Sequence, residues 1–162
     1  MKAEAEQLTA ERLTAAGISA AQRREFLAKL PNLSEEYGFI TQNDVSAQGF
    51  QAHIVGDKYM LCSLPVKGNA QYYGMFNGGS AALLGETTGS IAANLLAREG
   101  TVAVGIDISV HHLLPAREGR VYCLAARLNE GRIVNYRLDF YRSDGEQIAA
   151  GSHSCTFVRM PE

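Results

Sequence analysis

A chain of 162 residues with 46% hydrophobic and 20% charged residues has the composition of one globular domain with a sizeable core. It excludes fibrous, collagen-like and disordered classes. The 15 Lys+Arg and 17 Asp+Glu leave a formal net charge of -2, which excludes the strongly basic footprint of a nucleic-acid-binding protein but not a local basic patch.

The first 13 residues, MKAEAEQLTAERL, carry acids and no apolar core, so no secretory signal is expected and a cytoplasmic location is. Residues 2–16 are rich in helix formers, and Gly17 ends them. Ser19 followed by Gln22 matches a capping box, and Phe26, Leu27 and Leu30 share one apolar face before Pro31 and Asn32. Residues 1–45 therefore read as a helical extension, open as to whether it covers a sheet edge, caps a pocket or joins subunits. The main domain reads as 46–162.

From Phe50 the pattern becomes that of strands. Segments 51–55 and 59–64 flank Gly56-Asp57-Lys58, a hairpin turn. Residues 65–76 read as a loop. Residues 78–97 are then of helix length and small or apolar on nearly every side. A membrane span has that appearance, but Glu86 near its centre, its Gly and Thr content and the lack of other spans argue for a helix buried inside a wrapped sheet. Strands follow at 102–114, 119–129, 132–142 and 146–158, the last three joined by Asn129-Glu-Gly131 and Ser143-Asp-Gly145 turns. Long consecutive strands with tight turns predict an antiparallel sheet. Cys62, Cys123 and Cys155 are odd in number, lack a CxxC pair and sit in apolar strands, so they read as small buried hydrophobes. The spacing of His and Cys fits no metal site.

Glu86 needs an explanation, because an unpaired carboxylate on a buried helix costs several kcal/mol or takes up a proton. Ser90 lies four residues on, on the same face, and Thr87 and Thr88 are near. A carboxylate among hydroxyls in an apolar helix reads as a site. Asn77-Gly78-Gly79 just before the helix supplies free backbone N–H groups at a positive helix end, which is the hardware of an oxyanion hole. Gly78 and Glu86 are eight residues apart, roughly 12 Å along a helix at ~1.5 Å per residue. A carbonyl must approach both groups within about 3 Å. One copy of the helix cannot offer that. Two copies packed antiparallel about a two-fold axis can, so a shared site and at least a dimer are expected.

The stretch 71–90 resembles the hotdog-fold acyl-CoA thioesterases, most closely the branch of the phenylacetate-pathway and 4-hydroxybenzoyl-CoA thioesterases. That branch carries a Gln, a His-Gly-Gly six residues on, an acid nine after the His, and Ser or Thr four later. Gln71, Asn77-Gly78-Gly79, Glu86 and Ser90 stand at those places. The match runs over about 50–158, and 104–119, with His111-His112 and Arg117, also looks like the family's strand and turn.

The resemblance implies an α+β hotdog fold, a curled antiparallel sheet wrapped around one long helix, assembled as dimers and often dimers of dimers. It implies hydrolysis of an acyl-CoA or aryl-CoA thioester with no resident cofactor, coenzyme A arriving as part of the substrate, and with no nucleic-acid or membrane partner. Glu86 would be nucleophile or general base, the Gly78 N–H the oxyanion donor, and Gln71 and Ser90 would orient the reacting groups. Gly79, His112, Tyr73 and Phe76 would contact substrate, with Tyr72 and Met75 beside them, and Arg117 or Arg120 would meet the phosphates of CoA. His111 and His112 face opposite sides of a strand, and the resemblance favours His112. Asn77 departs from the pattern: its amide can hydrogen-bond a carbonyl or cap the helix, but it cannot transfer a proton near neutral pH. That departure leaves an alternative, a catalytically silent hotdog protein that binds acyl-CoA. A dehydratase is a third reading, disfavoured because residues 77–97 hold no His.

Overall fold

The computed structural model describes residues 2–37 and 45–160, with only the backbone described for 2–7, so part of the expected extension (38–44) lies outside the described residues. The elements are α1 (Lys2–Leu13), α2 (Ala20–Leu27), β1 (Gln51–Ile54), β2 (Tyr59–Pro65), α3 (Gly78–Asn94), β3 (Thr101–His112), β4 (Arg120–Arg127), β5 (Ile133–Arg142) and β6 (Gln147–Arg159). All six strands form one antiparallel sheet in the order β1-β2-β4-β5-β6-β3. α3 connects β2 to β3 and packs against β2 through β6, so the sheet wraps the helix.

Alternation along the strands separates two cores. Met60, Cys62 and Leu64 of β2 and Val121, Cys123 and Ala125 of β4 meet Leu84, Ala92 and Ala93 of α3. Their neighbours Leu61, Tyr122 and Leu124 face outward and meet Ala10, Leu13 and Leu27 of α1 and α2. The helical extension thus covers the outer face of the sheet. This is why β4 reads as a continuous apolar run rather than an alternating one: Val121 to Ala126 are buried on both faces. The extension also meets the edge of β1, where the Ala52 N–H donates to Ser34 Oγ (3.0 Å) and the Leu33 N–H to Ala52 O (2.7 Å). The Ser19–Gln22 capping box forms as expected. All three cysteines are free and buried.

α3 stops at Asn94, three residues before the expected end, because the Asn94 side chain bridges to β3. Its Nδ2 donates to Ala103 O (3.2 Å) and its Oδ1 accepts from the Ala103 N–H (2.9 Å). Residues 95–97 then tighten into i→i−3 bonds.

The glycines of α3 let it lie on the sheet. A Cβ on Gly85 would come within 2.8 Å of Leu138 Cδ1, and one on Gly89 within 2.5 Å of His153 Cδ2. Gly89→Ala sets a helix-propensity gain of about 1 kcal/mol against overpacking of about 1–3 kcal/mol. His153 is 1% exposed and tethered through its ring, so it cannot retreat and overpacking wins. The thermal midpoint of Gly89→Ala is expected to fall; a raised midpoint would show that the ring yields.

Candidate active site

The loop before α3 is built around a buried amide. Asn69 Nδ2 donates to Gln48 O (3.0 Å) and Pro65 O (2.9 Å), and Asn69 O accepts from the Asn77 N–H (2.9 Å). The turn inside it closes by Gln71 N–H to Met75 O (2.7 Å), with Gly74 at φ 71°. Asn77 then caps the helix, its Oδ1 accepting from the Gly79 N–H at 2.7 Å. This engages the Gly79 amide. The Gly78 N–H, at the first helical position, has no partner within the helix. Asn77→Ala is expected to cost about 1 kcal/mol, read as a lower melting midpoint.

A cavity of about 390 Å³ opens beside the helix start, lined by Gln71, Phe76, Gly78 and His112, with Met75 and Leu114 among its apolar walls. Gly78 packs closely on the imidazole: a Cβ there would lie 3.1 Å from His112 Nε2, so the ring would have to shift by a few tenths of an ångström. His111 turns away, with its Nε2 3.3 Å from Ser109 Oγ. Four of the predicted residues are thus gathered in one place.

Glu86 and Ser90 do not line that cavity. Half-buried Glu86 lies further along α3 beside β3, and its Oε1 accepts from Ser90 Oγ at 3.0 Å. A Cβ on Gly105 would come within 3.2 Å of the same carboxylate oxygen. Thr88 is no part of this group, since its hydroxyl points into the core and donates to Leu84 O at 2.6 Å. Tyr73 is 72% exposed and stacks edge-on with Tyr72 outside the cavity, and Arg117 Nη1 donates to its carbonyl at 3.3 Å. Arg117 also borders a second depression, shared with Arg24 and Arg142, of which Arg142 is paired with Asp144 at 2.7 Å.

Arg120 turns inward. Its Nε donates to Ser63 Oγ (2.8 Å), which also contacts His53 Nε2 (2.7 Å), and its Nη2 donates to Gly49 O (2.6 Å). It is a structural arginine bridging strands, and burial holds the neighbouring His53 below the usual imidazole range.

His153 is the residue the sequence pattern left unassigned. From β6 its Nε2 stands 3.1 Å from Ser90 Oγ and 3.1 Å from Cys155 Sγ. Burial pushes the Cys155 thiol up; the Ser90 contact opposes this and the nearby Glu86 charge adds to it. A signal was present: alternation along Ser152-His-Ser-Cys155 places His153 on the inward face with Cys155. A histidine does stand beside α3, delivered by another strand.

The model of the thioesterase superfamily matches residues 73–149. An esterase of Haemophilus influenzae is 35% identical over 106 residues, 65% of this chain and 75% of that protein. The chain belongs to the thioesterase superfamily. As a member it is a thioester hydrolase of the hotdog fold. The crystal structure of a thioesterase from Haemophilus influenzae superposes with a TM-score of 0.73 at 28% identity, covering 83% of this chain and 95% of that one. A Bacillus halodurans protein crystallised with CoA shares the fold, with a TM-score of 0.58, 22% identity and coverage of 60% and 66%. Among the described residues, no helix of this thioesterase is long and apolar enough to cross a membrane.

Proposed function

We propose that this thioesterase hydrolyses acyl-CoA or aryl-CoA thioesters in a site built from two copies of the chain. The observation that carries the reading is the division of the predicted residues. Gln71, Gly78 and His112 surround the cavity, while Glu86 and Ser90 lie outside it on the same helix. A partner helix running antiparallel supplies the missing carboxylate. β3 is an edge strand beside Glu86, and its Val104 (37%), Ile106 (52%) and Ile108 (37%) are exposed, which suits pairing with a second copy.

In this reading the thioester carbonyl takes a hydrogen bond from the Gly78 N–H, and Gln71 and His112 orient it. Glu86 either attacks the carbonyl carbon, giving an anhydride that water opens, or takes a proton from the water that attacks. Both routes expel CoA as a thiolate. Single turnover in H₂¹⁸O separates them, since only the anhydride route can place label in Glu86. Arg117 is the residue assigned to the phosphates of CoA, supported by its place in a depression with Arg24 and Arg142, and the CoA bound to the Bacillus halodurans protein supports this substrate class.

The test is thiol release from a panel of acyl-CoA and aryl-CoA substrates, with light scattering on the same sample. Turnover by a dimer or tetramer is expected. A fully active monomer overturns the shared site, and an oligomer that binds but hydrolyses nothing supports the silent binder.

A further inference from the structure

We infer that His153 is a positioning residue for Glu86, acting through the Ser90 hydroxyl. The inference rests on the reading of Glu86 as the reacting carboxylate. His153 Nδ1 lies 2.7 Å from Asp107 O, and a carbonyl only accepts, so Nδ1 carries a hydrogen. That bond fixes the ring and aims Nε2 at Ser90 Oγ, 3.1 Å away. Ser90 Oγ gives its one hydrogen to Glu86 Oε1 at 3.0 Å, so the bond to the ring runs the other way, with Nε2–H donating to Ser90 Oγ. A serine side chain alone has three staggered rotamers, and a glutamate has several more torsions. The anchor on Nε2 selects the serine rotamer that faces Glu86 and so holds the carboxylate.

The surroundings are built for this ring. A Cβ on Gly89 of α3 would meet its Cδ2 at 2.5 Å, and a Cβ on Gly105 of β3 would meet its Cε1 at 2.9 Å. The β3–β6 register shifts between Gly105 and Asp107, beside the carbonyl that receives Nδ1. At 1% exposure His153 touches no substrate, and of the two groups at its Nε2, Cys155 Sγ and Ser90 Oγ, it is Ser90 that is hydrogen-bonded to Glu86.

Two conservative variants take the ring apart. His153→Asn keeps a donor near Nδ1 and stops short of Ser90, whereas His153→Gln reaches Ser90 and gives up the Asp107 bond. His153→Asn is expected to lower kcat about tenfold with KM unchanged, as is Ser90→Ala, and the double variant should fall no further. His153→Gln should recover most of the loss. A ring that merely fills space predicts otherwise. A folded Asn variant with wild-type kcat, a double variant whose loss is the product of the two, or a Gln variant as slow as Asn overturns the inference. A second measurement needs no His153 variant: Glu86→Gln should move the Nε2 ¹⁵N resonance of His153 more than that of Nδ1, and an unmoved Nε2 overturns the coupling. Glu86→Gln also separates the two levels. If it turns over at the wild-type rate, the reading of Glu86 fails; if it is inactive while His153→Asn is normal, only the role of His153 fails.

Discussion

Glu86→Gln is expected to lower turnover by about 10²–10⁴-fold while substrate still binds. The amide keeps the size of the side chain and can still accept from Ser90 Oγ, now 3.0 Å from the carboxylate. What it loses is the negative charge that attacks a carbonyl or takes a proton from water. Folding should hold or improve, because the half-buried charge disappears with no loss of shape. Binding measured with a non-hydrolysable CoA thioether, beside the rate, keeps the two effects apart. Wild-type turnover removes Glu86 from the chemistry, and a grossly unfolded variant makes it a structural residue.

The second large effect comes from the other end of α3. Gly78→Pro deletes the one N–H assigned to the oxyanion and leaves the helix start intact, since proline is favoured at the first helical position. Asn77, at φ -70° and ψ 137°, already has the extended backbone that a residue before proline requires. His112 must yield by a few tenths of an ångström to the new Cβ. Loss of about 10²–10³ in kcat is expected. Co-expression with Glu86→Gln chains then tests the architecture. In a mixed dimer one site carries both defects and the other carries neither, so random assembly should restore about a quarter of the wild-type turnover. If each chain held a whole site, no activity would return.

Much of the fold was open to reading because its signals are local. Turn glycines such as Gly145 (φ 87°), the Ser19–Gln22 box and strand runs each fix their own segment. The place of the extension was not, because the outward residues Leu61, Tyr122 and Leu124 look like core from either side until α1 and α2 are seen upon them. In the site, Gln71, Gly78 and His112 converge, since a loop, a helix start and a strand end meet there. His153 escaped because its partners, Ser90 and the Asp107 carbonyl, are 63 and 46 residues away. Arg120 misled for a related reason: nothing local distinguishes an arginine on the surface from one spanning Ser63 and Gly49.

The glycine-rich face of α3 has a consequence for the order of folding. Glycine is a poor helix former, and four of the 17 residues of α3 are glycine, so the helix has little stability of its own. The β4–β5–β6 meander closes through short turns, whereas β2 must find β4 across the whole span from Tyr59 to Ala126. The meander should therefore be structured in the transition state and α3 should not. Val134→Ala, in β5, is expected to slow folding, with a φ-value well above that of Ala92→Gly in α3, which should act on unfolding alone. The segment that carries Glu86 should thus take shape only when the strands around it have already closed.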